Sequence, residues 1–268
     1  MTKQDAINLL TQKDQLQLLS FYDTLTPEQQ ENLLAQIEGI DWSLLDVLKT
    51  HKTVNARGTF APLSAMELSQ IDANRAHLEE VGLQAIREGK VAAVLLAGGQ
   101  GTRLGFDKPK GMYNIGVTRE LYIFECLINN VMEIVKKAGA WIPFYIMTSD
   151  KNYDDTTAFL KEKNYFGYNA EYIHFFKQEM APSVDYNGKL LMEAPDHLSL
   201  SPNGNGGWFS SLCRYGYDKQ MKEAGVEWLT AFAVDNVLQR INDPAFVGAV
   251  IDSGCDCGGM VVRKADPN

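Results

Sequence analysis

Residues 91–113, VAAVLLAGGQGTRLGFDKPKGMY, constrain this chain more than any other stretch. Residues 91–96 form an apolar, β-branched run suited to a strand buried on both faces of a parallel sheet, and the run ends in Gly98, Gly99 and Gly101. Glycines without Cβ let successive N–H groups line a concave, partly positive surface that suits phosphate oxygens. Arg103, Lys108 and Lys110 add formal positive charge to the same loop. The alternative is a surface turn with incidental basic residues. Two familiar phosphate loops fail on spacing. Gly99, Gly101 and Gly105 give GxGxxxG, one residue longer than the dinucleotide fingerprint, and Pro109 interrupts the helix which that fingerprint should open. No Lys-Ser or Lys-Thr pair follows the glycines, so GxxxxGK[ST] is absent as well.

With 268 residues and 45% hydrophobic content, the chain is long enough for one large domain plus a small appendage. Its 34 acidic against 25 basic residues leave a formal charge of −9, which argues against a general nucleic-acid surface. A polyanionic ligand must therefore rely on local features. The opening residues are polar and mixed, and no apolar run reaches the ~20 residues needed to span a bilayer, so neither a signal peptide nor membrane attachment is expected and the cytoplasm is the expected compartment. Cys126, Cys213, Cys255 and Cys257 lack both a secreted disulfide pattern and zinc spacing, and read as reduced thiols. His51, His77, His174 and His197 are too scattered to suggest a metal site or triad.

Residues 1–55 read as a helical region, with Leu9, Leu10, Leu16, Leu19 and Tyr22 at apolar positions. Thr26-Pro27-Glu28-Gln29 is a capping box with Pro at N1, introducing Leu33, Leu34 and Ile37 until Gly39. Asp41 is placed to cap a short helix carrying Leu44, Leu45 and Leu48. Residues 56–89 read as linker and helix: the linker lies within residues 50–63, a second capping box at Ser64-Ala65-Met66-Glu67, and Leu78, Val81, Ala85 and Ile86 lead to a stop at Gly89. Residues 90–268 then alternate strand and helix. Ile123, Phe124, Leu127, Ile128, Val131, Ile134 and Val135 give a helix with period 3.6; strands are expected at residues 144–148, 173–176, 227–234 and 258–262, and helices at 153–163 and after Asp243-Pro244. A hairpin with a type I′ turn is expected at Asn187-Gly188. This alternation indicates an α/β fold, a Rossmann-like, mostly parallel sheet whose ligands sit at the carboxyl ends of its strands.

Three further segments belong near that edge. Residues 201–209, SPNGNGGWF, can turn backbone N–H groups and Asn amides toward an uncharged partner, or simply form a wide glycine turn. Gln178 closes a predicted strand with an amide that offers both donor and acceptor, although a lone Gln is ordinarily a solvated loop residue. Asp235 ends the run Ala233-Val234-Asp235-Asn236 and is suited either to Mg2+ or to capping the next turn.

The loop LAGGQGTRLGFDKPKG closely resembles the signature of the sugar-1-phosphate nucleotidyltransferases, in particular the UDP-N-acetylglucosamine pyrophosphorylase branch of the UDP-sugar pyrophosphorylases. Gly98, Gly99, Gly101, Thr102, Arg103, Leu104, Gly105, Pro109, Lys110 and Gly111 fall in register. Gln100 and Arg103 favour the N-acetylhexosamine branch over the UDP-glucose branch, whose loop resembles GGLGTSMG. Gly204, Asn205, Gly206 and Gly207 match the family's PDGNGG segment, with Asn203 replacing its Asp. Phe176-Lys177-Gln178-Glu179 matches the segment whose Gln recognises uracil, and Val234-Asp235-Asn236 the VDN motif whose Asp is associated with the metal.

The resemblance implies a sheet of the sugar nucleotidyltransferase type with an N-terminal helical region. It also implies the conversion of UTP and N-acetylglucosamine 1-phosphate to UDP-N-acetylglucosamine and pyrophosphate, with Mg2+. Arg103 and Lys110 would then be catalytic; Leu96, Ala97, Gly98, Gly99, Gly101, Thr102, Gln178 and Gly204 would bind the nucleotide, Asn205 the sugar and Asp235 the metal. Partners would be UTP and a sugar 1-phosphate, with neither nucleic acid nor membrane. Because the family's catalytic domain continues past the position of Asn268, the resemblance further suggests a C-terminally incomplete domain. Two alternatives follow: a UDP-glucose or broad UDP-sugar pyrophosphorylase, and a truncated, inactive nucleotide-binding fragment.

Overall fold

A computed structural model describes residues 1–43, 45, 59 and 65–263. The chain folds as two compact units, residues 1–63 with 180–203, and residues 64–179 with 204–268. The helices are α1 (Lys3–Gln12), α2 (Pro27–Glu38), α3 (Leu68–Arg87), α4 (Ile123–Ala138), α5 (Tyr153–Glu162), α6 (Trp208–Arg214), α7 (Tyr217–Glu223) and α8 (Pro244–Asp252). The strands are β1 (Val91–Leu96), β2 (Phe144–Thr148), β3 (Ile173–Lys177), β4 (Met180–Pro182), β5 (Met192–Ala194), β6 (His197–Leu198), β7 (Leu200–Pro202) and β8 (Trp228–Ala233). The expected linker over residues 50–63, positions Leu44 and Leu48, and Ser64 itself lie outside the described residues. None of the described helices is long and apolar enough to cross a membrane.

In the first unit, α2 starts as its sequence dictates: Thr26 Oγ1 accepts from the Gln29 N–H, Gln29 Oε1 accepts from the Thr26 N–H, and Pro27 occupies N1. Asp41 Oδ1 accepts from the Ser43 N–H, as a capping side chain does. Leu10, Leu18, Leu33 and Ile37 form the core together with Leu190 and Leu198. Leu18 rather than Leu16 turns inward, because residues 16–19 form a 3₁₀ turn with a tighter period than the helix. Two glutamines bind the strand-bearing segment to the helices. Gln15 accepts from the Leu190 N–H and donates to the Gly188 carbonyl; Gln36 accepts from the Leu198 N–H and donates to the Asp196 carbonyl. The expected type I′ turn does not form. Gly188 has φ +76° while Asn187 stays at negative φ, the Gly188 N–H bonds to the Asp185 carbonyl, and the Asp185 carboxylate accepts from the N–H groups of Asn187 and Lys189. Asp185 thus draws the turn back by one residue, giving a type I turn closed by a left-handed glycine.

In the second unit the sheet order is β3-β2-β1-β8, and every pairing is parallel. β1 lies between β2 and β8 with helices on both faces. Ala93 and Leu95 pack with Leu127 and Val131 of α4, while Ala92 and Val94 pack with Leu212 of α6 and Met221 of α7. This is why the strand reads as an unbroken apolar run. β8 is only half-buried, having β1 alone as a sheet neighbour among the described residues. The capping box expected at Ser64-Ala65-Met66-Glu67 does not form, since residues 65–67 are not helical; helix α3 instead begins with Glu67 as its cap, whose N–H donates to Gln70 Oε1. Helix α8 begins at Asp243, whose carboxylate accepts from the Ala245 N–H. The strand expected at 258–262 is absent: these residues are exposed and pair with no described strand. A β-branched run needs a free sheet edge within reach, and local propensity cannot provide one.

His174 on β3 stacks on Tyr145, with ring centroids 4.8 Å apart, and lies 5.5 Å from the Tyr217 ring. Burial pushes its pKa below the ordinary histidine value and raises that of Tyr145 to about 12. The unfolded chain takes up the His174 proton more readily than the folded one. Stability from this group is therefore intact above about pH 6.5 and falls as pH drops from there toward the lowered folded value. His174→Phe, which keeps the stack, is expected to lose less stability than the wild type between pH 7.5 and 5.5. Urea denaturation at both pH values measures this, and equal losses would refute it.

Candidate functional site

The sheet order places a topological switch point between β1 and β8. The chain leaves β1 toward β2 and β3, then returns to the other side of β1 as β8, and it is at the carboxyl ends beside such a point that open α/β sheets take their ligands. Leu96 pairs with Ala233 in register, so the glycine loop and the segment carrying Asp235 leave the sheet side by side.

Ala97 is still buried and its N–H donates to the Met147 carbonyl, continuing the ladder for one residue. Beyond it the loop folds on itself: the Gly101 N–H bonds to the Lys108 carbonyl at 2.9 Å, and the Lys110 N–H to the Gly99 carbonyl at 3.3 Å. Gly101 must be glycine, since a Cβ there would lie 2.8 Å from the Phe106 ring and 2.9 Å from its carbonyl. Thr102–Leu104 makes a 3₁₀ turn that ends at left-handed Gly105, and Lys110–Met112 makes a second. Among the described residues, the N–H groups of Gly98, Gly99 and Gln100 donate to no protein acceptor, and neither Arg103 nor Lys108 has an ion-pair partner. Three free backbone donors thus adjoin two uncompensated cations, in a chain whose net charge is negative.

Gln178 is buried after β3, its N–H held by the Thr148 carbonyl at 2.8 Å. Its side-chain amide lies over Gly98: a Cβ on Gly98 would sit 2.5 Å from Gln178 Nε2. Gln178, ordinarily read as a solvated loop residue, is therefore part of the loop's wall. Lys110 Nζ forms an ion pair with Asp235, joining the loop after β1 to the end of β8. Asp235 is exposed and Lys110 mostly covered. Gly204, at φ +73°, turns the chain into a 3₁₀ segment, Asn205–Gly207, which leads to α6; Asn205 is exposed. Helices α6 and α7 follow it, separated at left-handed Gly216.

The sequence reading missed two side chains that hold these segments. Asn152 is fully buried; it accepts from the Ser149 N–H at 2.7 Å and donates to the Ala97 carbonyl at 3.0 Å, with a longer contact to the Gly99 carbonyl at 3.5 Å. Ser211 accepts from the Glu179 N–H and donates to the Gly207 carbonyl, both at 2.9 Å, linking the Gln178 segment to the glycine turn before α6. Glu179 also pairs with Arg214. Asn152 has a sequence signal in the Ser149-x-x-Asn152 turn that enters α5, but nothing local reveals its contact with the glycine loop.

Among the described residues, no group of three or more His, Cys, Asp or Glu side chains is placed to hold a metal by itself. Mg2+ ordinarily takes one or two carboxylates and completes its shell with phosphate and water oxygens, and exposed Asp235 fits such a site.

The family described as UTP–glucose-1-phosphate uridylyltransferase matches residues 33–268. The chain is 35% identical to a UDP-N-acetylglucosamine pyrophosphorylase of Saccharomyces cerevisiae over 98% of its own length and 59% of that protein. It is 34% identical to UDP-N-acetylglucosamine diphosphorylase 2 of Arabidopsis thaliana over 98% of its length and 56% of that protein. The solved uridine diphosphate N-acetylglucosamine pyrophosphorylase from Trypanosoma brucei, in complex with an inhibitor, superposes with a TM-score of 0.77 at 28% identity, covering 95% of this chain and 55% of that one. The chain thus spans somewhat more than half the length of the relatives it matches. With the family match running through the glycine loop, Gln178, the Gly204–Gly207 turn and Asp235, this chain belongs to the UTP–glucose-1-phosphate uridylyltransferase family.

Proposed function

We propose that this chain is a uridylyltransferase that joins UTP to N-acetylglucosamine 1-phosphate, giving UDP-N-acetylglucosamine and pyrophosphate. The observation that carries the reading is the placement of the Gln178 amide over Gly98, which sets a group suited to the imide edge of uracil against free N–H donors suited to phosphate. The names of the similar yeast, plant and trypanosome proteins support the sugar.

The reaction is an in-line displacement: a phosphate oxygen of the sugar attacks the α-phosphorus of UTP, the new P–O bond forms, and the bond to pyrophosphate breaks. No covalent nucleophile is needed from the protein, which must align two polyanions and offset their repulsion. Leu96 and Ala97 deliver the loop, the N–H groups at Gly98 and Gly99 meet phosphate oxygens, and Gly101 and Thr102 carry the turn that presents Arg103. Exposed Arg103 takes the charge of the β- and γ-phosphates and of the departing pyrophosphate. Lys110 exchanges its pairing with Asp235 for phosphate charge as the nucleotide enters. Gly204 and Asn205 face the ribose and sugar side. Asp235 would hold Mg2+, which when bound offsets phosphate charge and orients the oxygens. We assign the reaction to the cytoplasm, supported by four free cysteines.

Pyrophosphate release by the purified chain, given UTP with a panel of sugar 1-phosphates, tests the proposal. N-acetylglucosamine 1-phosphate is expected to be preferred; preference for glucose 1-phosphate would favour the UDP-glucose reading contained in the family's description. The absence of both turnover and UTP binding would overturn both. A narrower expectation concerns Gly98→Ala, whose methyl group must displace the Gln178 amide. Uridine affinity should fall about tenfold, corresponding to ~1.4 kcal/mol of lost base hydrogen bonding, with little change in melting temperature. Unchanged affinity by calorimetry would remove Gln178 from the base site.

A further inference from the structure

We infer that Asn152 is a positioning residue which sets the direction of the glycine-loop N–H groups. This rests on the phosphate-binding reading of that loop. A planar trans peptide points its C=O and the following N–H in opposite directions. Asn152 Nδ2 holds the Ala97 carbonyl at 3.0 Å, which turns the Gly98 N–H away from Asn152. The Gly99 carbonyl, bound by the Lys110 N–H at 3.3 Å and approached by Asn152 at 3.5 Å, turns the Gln100 N–H away in the same manner. Both N–H groups lack a protein acceptor among the described residues.

Glycine peptides flip readily, because φ of either sign is open to them, so a glycine-rich loop has no intrinsic preference for exposing donors rather than carbonyls. Something outside the loop must decide, and Asn152 is built to do so. It is completely buried, its acceptor is anchored on the Ser149 N–H at 2.7 Å, and its own N–H is held by the Ser149 carbonyl at 3.1 Å. The amide is fixed at the end of β2 before any ligand arrives, so the loop meets an anion with its donors already facing outward. A carbonyl turned to the same place would repel phosphate.

The test uses the full chain and three probes: uridine, which has no phosphate; inorganic tripolyphosphate, which has no base; and UTP. In Asn152→Ala, affinity for tripolyphosphate and UTP is expected to fall tenfold or more while uridine affinity is unchanged. Equal losses for uridine and UTP would make Asn152 merely structural, and wild-type affinity for tripolyphosphate would also overturn the inference. A wild-type chain that binds tripolyphosphate but not UTP would overturn the proposed function alone, leaving this inference to the tripolyphosphate comparison; binding of neither would overturn both. If the alanine variant does not fold, Asn152→Leu serves with the same outcomes, since it keeps the buried volume, adds no charge and loses the donation to the loop.

Discussion

Arg103→Ala is expected to lower turnover by about 10²-fold or more, the usual loss when a group that stabilises transition-state charge is removed. The structure makes this a clean experiment. Arg103 is exposed and has no ion-pair partner among the described residues, so its removal should change stability by no more than about 0.5 kcal/mol. A fall in turnover at constant melting temperature is then a loss of charge at the reacting phosphates. Arg103→Lys should restore only part of the rate, because an ammonium keeps the charge but not the planar fork that can engage two oxygens. Pyrophosphate release under saturating UTP measures the effect, and near-normal turnover in the alanine variant would end the assignment.

Gly248→Ala should have the largest effect on stability. Helices α3 and α8 touch backbone to backbone: a Cβ on Gly248 would lie 1.8 Å from the Leu78 carbonyl oxygen, and one on Gly82 2.0 Å from the Pro244 carbonyl oxygen. No side-chain rotation relieves either clash, so the helices must separate, and overpacking of this kind costs about 3 kcal/mol or more. Gly206→Ala is a suitable control, since its Cβ would meet nothing within 4 Å. Urea midpoints of the two variants should differ clearly; matching midpoints would show that the helix contact yields easily.

Elements held by partners close in sequence were legible in the chain itself. The Thr26 capping box, the Asp243-Pro244 helix start, the apolar face of α4 and the strand at Val91–Leu96 each formed where the chain indicated, because caps, prolines and apolar periodicity act within a few residues. The hairpin turn centres on Tyr186-Asn187 rather than Asn187-Gly188 because Asp185, two residues before Asn187, captures the N–H groups of Asn187 and Lys189. The extended segment at 258–262 failed for a different reason: its partner would have to come from elsewhere in the fold. Nor does local pattern indicate that residues 180–203 pack with the N-terminal helices, since Gln15 and Gln36 make those connections across more than 150 positions.

The sequence by itself determined the family, through the resemblance of residues 96–111 to its signature, and it made the candidate phosphate loop legible because a strand, three glycines and their cations are contiguous there. It also supplied Gln178, the Gly204–Gly207 turn and Asp235 as separate parts. Only the tertiary structure brought Gln178 over Gly98, paired Lys110 with Asp235 and put Asn152 beneath the loop. The physical reason is the parallel sheet: its crossovers bring residues far apart in the chain to one carboxyl edge, where contact depends on strand order and register rather than on sequence separation.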